Sequence, residues 1–198
     1  MKRLLLPLFV TLGLALLMIA PACTSDKTEN KEEATPIATV LQVNDVLDNA
    51  ETYLGTPIVI EGVCTHLCAH GARKMFVMGS DDAHVLRVES NDEIGAFSQD
   101  APNSLVRVEG RLVETRIDEA YLQQWEEKAK EQQQKQHGEK GQDACEASMK
   151  ANAEKPTNSV AERIANFRKR IQERQASEGK AYVSLYHMAA TSYQIVEN

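Results

Sequence analysis

Aromatic residues are scarce in this chain, at 5% of 198 positions, which leaves little material for a surface that stacks on bases or sugars. Cysteine is scarce too. The four, at positions 23, 64, 68 and 145, are too few for a disulfide-built mini-protein. Positive charge is in deficit, with 22 Lys and Arg against 29 Asp and Glu and a formal charge of −7. Such an acidic chain is a poor general binder of nucleic acid, which requires phosphates to be neutralised. There is no Gly-x-Ser-x-Gly elbow, phosphate loop, His-Glu-x-x-His pair or paired-carboxylate pattern, which favours a binding role over that of an enzyme. Apolar residues are not lacking: at 42% they suffice for a packed core.

Lys2 and Arg3 precede an uncharged run from Leu4 to Ala20. That run is slightly short for a membrane span but suits the apolar region of a signal peptide. Removing residues 1–22 leaves 176 and takes away only two charged residues, Lys2 and Arg3, so the formal charge moves to −9. This is one domain of ordinary size plus an elaboration. Ala20-Pro21-Ala22-Cys23 resembles the lipobox of bacterial lipoproteins, although Ala20 stands where Leu is usual and Pro21 is uncommon at its position. The resemblance implies a lipid-modified Cys23 and a domain anchored in the cell envelope, on the periplasmic or surface side of an outer membrane. The same letters also read as an Ala-x-Ala cleavage site, which would leave Cys23 a bare thiol. The polar, charged stretch that follows, completing residues 23–36, reads as a flexible tether, and residues 37–198 as the folded domain.

Asn44 is expected to cap a helix whose apolar stripe is Val46, Leu47, Ala50 and Leu54, ended by Gly55. Four strands are then predicted, around 58–63, 75–78, 84–89 and 105–114, with Gly110 marking a bulge or bend. From Asp118 the period changes. Tyr121, Leu122, Trp125 and Ala129 make one helical stripe. Val160, Ile164, Phe167 and Ile171 make another, capped by Ser159 and stopped by Gly179. Residues 137–158 read as a loop between them, and 182–187 and 193–196 as closing strand material. The fold class expected is mainly β with α: a small antiparallel barrel with a two-helix hairpin inserted at about 118–178, before the last strand.

Gly55-Thr56-Pro57-Ile58-Val59-Ile60-Glu61-Gly62-Val63 and Val108-Glu109-Gly110-Arg111-Leu112 resemble the OB-fold group called bacterial OB-fold or tRNA-anticodon-like, found in small envelope proteins. The resemblance spans about 44–116 and implies an OB-like barrel without implying one activity.

Chemically, the segment Cys64-Thr65-His66-Leu67-Cys68-Ala69-His70-Gly71 stands apart. On a strand, alternate residues share a face, so Cys64, His66, Cys68 and His70 would point the same way. A straight strand spreads them too far for one ion, so the chain must curl, and Gly71 permits the left-handed turn needed. Zinc is the ion expected for such donors, in a structural or carrier role, with Cys145 or His137 able to complete the sphere. Copper is the alternative, given Met75 and Met78, although their odd spacing keeps both from facing one site. The competing reading is a metal-free module whose disulfide, drawn from Cys64, Cys68 and Cys145, pins a loop that recognises an envelope protein or a small ligand. Thiol redox chemistry fits less well, because the Cys-x3-Cys spacing lacks the usual two-residue spacer.

Three weaker signals have ordinary readings. Arg163, Arg168, Lys169, Arg170 and Arg174 are expected to pair with Glu126, Glu127 and Glu131 rather than with nucleic acid. Tyr121 and Trp125 are expected to pack on Val160 and Phe167, and His187 to be a partly buried histidine rather than a fifth metal ligand.

Overall fold

The computed structural model describes residues 39–135, 145–157 and 159–196. The leader, Cys23, the tether and His137 lie outside the described residues. The strands are β1 Val40–Gln42, β2 Pro57–Leu67, β3 Lys74–Met78, β4 Val85–Glu89, β5 Leu105–Ile117 and β6 Val183–Ile195. The helices are α1 Val43–Asp48, α2 Ala50–Tyr53, α3 Glu119–Lys135, α4 Glu146–Ala151 and α5 Val160–Glu178.

Strand order is β1-β2-β3-β4-β6-β5, and β5 pairs back onto β2, so β2 to β6 close into a five-stranded barrel. All barrel neighbours run antiparallel except β4 and β6, which are parallel, making the barrel mixed. This closed, five-stranded arrangement is compatible with an OB-fold. Closure depends on β2 serving two neighbours: Pro57 to Val63 pair with β5, and Val63 to Leu67 pair with β3. At the changeover, Gly62 lies so close to the Met78 carbonyl that no Cβ would fit. Gly110 plays the same part against the Ala189 carbonyl, where the β5–β6 register shifts as the sequence led one to expect.

Alternate residues of each strand fill the barrel. Ile60, Met75, Val77, Leu86, Val88, Val106, Val108, Leu112 and Met188 are almost wholly buried together with Val43, Val46 and Ala50 of the first two helices. A second, separate cluster of Ile117, Leu122, Ile164, Phe167 and Val183, with Trp125 at its margin, joins α3 and α5 to the ends of β5 and β6. Asp118 Oδ1 accepts from the Tyr121 N–H at 2.8 Å, so the hairpin starts where the period changes. Ser159 caps α5 and Gly179 ends it at φ 71°, both as expected.

Four details differ from the expectations. The loop assigned to 137–158 contains the short helix α4. The two closing strand pieces are one continuous strand, and β1, pairing parallel to β2, adds three residues that were too few to signal a strand. Finally, α1 begins after Gln42, and Asn44 is not its cap. The Asn44 side chain instead grips the β3–β4 hairpin: Oδ1 accepts from the Ser80 N–H at 2.8 Å and Nδ2 donates to Asp81 Oδ2 at 2.8 Å.

That grip carries a titratable group. His84 Nδ1 lies 2.8 Å from Asp81 Oδ1, and its Nε2 lies 3.4 Å from Asp48 Oδ1 in α1. The hydrogen bond to Asp81 raises the His84 pKa above its usual 6.5, while the bond to His84 lowers that of Asp81 below 3.8. A raised histidine stabilises the fold fully below about pH 6.5 and loses that contribution as pH climbs through its folded value. A lowered aspartate contributes above about pH 3.8 and loses that as pH falls. The melting temperature is therefore expected to decline as pH rises above about 6.5, in a step that His84→Gln removes, a comparison thermal melts across pH 5–9 would make. Identical profiles would refute it.

Candidate functional site

The Cys-His segment is divided by a bulge. Val63 and Cys64 pair with Met78 and Val77, but the next pair is His66 with Phe76, so Thr65 is the extra residue. Alternation breaks there. Cys64 turns inward and is fully buried, Leu67 also turns inward, and His66 faces out with its ring 5.8 Å from that of Phe76. The expectation that four donors share one face therefore fails between its first two members. Cys68 then opens a tight turn in which the Ala72 N–H donates to the Cys68 carbonyl at 3.1 Å, with Gly71 at φ 78°. The glycine does curl the chain, returning it directly into β3, with His70 exposed on the turn. Among the described residues no three Cys, His, Asp or Glu side chains gather closely enough to hold a metal ion.

Cys64, Cys68 and Cys145 are free thiols. Burial pushes the Cys64 thiol up to about 11, outweighing the opposing effect of the His66 backbone. A thiol so placed is a small core hydrophobe and a poor nucleophile or metal ligand. In the native protein Cys64 is thus expected to resist a disulfide-exchange reagent at pH 8 while Cys68 reacts. Denaturant should release Cys64, and equal native rates would contradict this. Met75 and Met78 divide as their spacing demands: Met75 is in the barrel core, and Met78 is half-buried outside it.

The outward face of β3, β4 and β6 is chemically richer. His66, Phe76, Arg87, His187 and Val113 are successive lateral partners across five strands. One step along, Lys74 pairs with Glu89. Glu89 Oε1 lies 3.1 Å from Arg87 Nε and 3.9 Å from Lys74 Nζ, and Oε2 lies 3.9 Å from His187 Nε2. Arg87 Nε and His187 Nδ1 are shielded from solvent yet have no hydrogen-bond partner among the described residues. Buried nitrogens without partners are uncommon in folded proteins, since each forfeits its hydration for nothing. Burial lowers the His187 pKa below 6.5, the Glu89 charge opposing and the Arg87 and Lys74 charges reinforcing this. Helix α4 lies against β3 and β4, and Phe76, Val85 and Met149 are buried outside both core clusters. The end of the face bearing Lys74 and Glu89 stays accessible, with side chains 47% and 34% exposed.

No family model matches the chain, and no curated protein does. One solved structure with partial overlap is a protein described as an aspartyl-tRNA synthetase from Leishmania major Friedlin, 15% identical. The match covers 48% of this chain and 18% of that one at a TM-score of 0.28, too slight to transfer fold or activity.

His187 had been singled out in the sequence only as a partly buried histidine, which it is. Lys74, Arg87 and Glu89 escaped notice because a charged residue alternating with apolar ones is what any solvated strand face shows. Of the basic residues of α5, Arg168 bridges the expected Glu126 and also Glu119, both at 2.7 Å, Arg163 pairs with Glu154, and Arg170 donates to the Asn152 carbonyl instead of to a carboxylate. Trp125 packs 6.2 Å from Phe167, whereas Tyr121 remains 43% exposed, contrary to the burial expected for it.

Proposed function

We propose that the protein is a tethered, non-catalytic recognition module of the bacterial OB-fold kind, held in the cell envelope by lipid on Cys23, with the outer face of β3, β4 and β6 as its binding surface. The observation that carries this is the pair of desolvated nitrogens, Arg87 Nε and His187 Nδ1, that make no hydrogen bond among the described residues and lie on one face of the barrel. OB-type barrels commonly bind on the face of their second and third strands, which here are β3 and β4. A photo-crosslinking residue placed at Lys74 in the native host tests the surface against one at Gln172 on α5. Adducts confined to Lys74 support it. Equal labelling at Gln172, or none at Lys74, refutes it. The anchor is tested separately: labelled palmitate is expected to mark the protein and to be lost in Cys23→Ala.

The second reading is zinc, with copper as the alternative, held by Cys68 and His70 with Cys145 or His137 drawn in. It is favoured by Cys68 being a half-exposed free thiol on the turn that also carries His70. Elemental analysis after anaerobic purification tests it. Bound metal should be lost in Cys68→Ala and retained in Cys64→Ala.

A further inference from the structure

A carboxylate ringed by cations normally settles into short hydrogen bonds, at about 2.7–2.9 Å for charged pairs. Glu89 does not. Its oxygens stand 3.9 Å from Lys74 Nζ and His187 Nε2, and although Arg87 Nε is 3.1 Å away, that N–H makes no hydrogen bond. The strand register explains the misfit. Lys74 is directly across from Glu89 on β3, Arg87 precedes it by two residues on β4, and His187 is across from Arg87 on β6. One short side chain fixed to β4 therefore approaches two cations and an imidazole and makes a short hydrogen bond to none of them.

We propose that Lys74, Arg87 and His187 form a site for the anionic group of a small ligand, a phosphate or a carboxylate, and that Glu89 occupies this site in the free protein as a built-in substitute. The proposal rests on the recognition role of the outer face and specifies what that face recognises. A free anion is not tied to β4, so it can move to where the Arg87 Nε–H and Lys74 ammonium are both within hydrogen-bond length. Phosphate suits the site better than acetate because its oxygens project in more directions, toward donors on three different strands. Glu89 is accessible enough to swing into water when displaced, with its side chain 34% exposed. His187 places Nε2 3.9 Å from the same carboxylate, from β6, and contributes a third contact without needing charge.

The test uses the full chain in detergent, titrated calorimetrically with inorganic phosphate and with acetate. Glu89→Gln empties the site of its resident charge at nearly constant shape. It is expected to bind phosphate about tenfold more tightly than the unaltered protein, and to gain melting temperature on adding phosphate. Adding Arg87→Gln to Glu89→Gln should abolish that gain. Unchanged phosphate affinity in Glu89→Gln overturns the proposal, as does binding that persists in the double variant. A lowered melting temperature that phosphate fails to restore would show Glu89 to be a structural counter-ion, which also overturns it. Failure here with Lys74-specific crosslinking intact leaves the binding face standing with a ligand of other chemistry. Failure of both removes the face itself.

Discussion

Valine in place of Gly62 or Gly110 is expected to cost about 3 kcal/mol or more, a large share of the roughly 5–15 kcal/mol that holds a domain together. The cause lies in the backbone rather than in any lost contact. A Cβ at Gly62 would overlap the Met78 carbonyl and the Val77 side chain, and one at Gly110 would overlap the Ala189 carbonyl. Neither carbonyl can retreat without breaking the strand pairing that closes the barrel. Gly55 supplies the control. It has φ 70° and nothing within 4 Å of a would-be Cβ, so Gly55→Asn, which tolerates the left-handed region, should be mild. Urea unfolding of the three variants decides the matter. Valine variants within 1 kcal/mol of the parent would mean that closure does not depend on these approaches.

Glu154→Ala is expected to be the other severe change, at about 3 kcal/mol. Glu154 is 6% exposed and receives two bonds from Arg163, Nε at 2.7 Å and Nη2 at 2.9 Å. It also accepts from Asn152 Nδ2 at 2.9 Å, tying the end of α4 to the start of α5. Without it, the Arg163 guanidinium stays stacked 4.8 Å over Trp125 with its charge uncompensated. Because α5 packs in an apolar cluster separate from the barrel interior and α4 rests on the outside of β3 and β4, the damage should be local. Amide exchange is expected to quicken in α4 and the first turns of α5 while the barrel strands keep their protection. Uniform acceleration throughout the domain would argue against two separable cores.

Much of the barrel could be read in the sequence, because its strands alternate cleanly and its bends fall at glycine. Leu105–Ile117 shows both signals in one segment, and Gly110 sits where the register shifts. The helical hairpin was legible from Ser159, Gly179 and the spacing of Ile164 and Phe167. What escaped was set by contacts distant in sequence. The role of Asn44 depends on Ser80 and Asp81, more than thirty residues away. The β1 strand is defined by β2 rather than by its own three residues. The Cys-His segment misled for a related reason. Its period-two spacing is real, but Thr65 bulges out against Phe76, sending Cys64 and His66 to opposite sides of the sheet. The cluster at Glu89 was invisible because four residues from three strands make it, and no window of sequence contains them.

The closed strand ring also limits how anything can attach. Between β2 and β6 every strand has a neighbour on both sides, but β4 and β6 join over only three residues, Arg87 to Glu89 against His187 to Ala189, so a visiting peptide finds backbone to zip onto chiefly beside that short seam. Elsewhere on the ring, affinity has to come mainly from side chains and turns. A handful of surface substitutions could therefore redirect what the domain holds while its architecture stays unchanged.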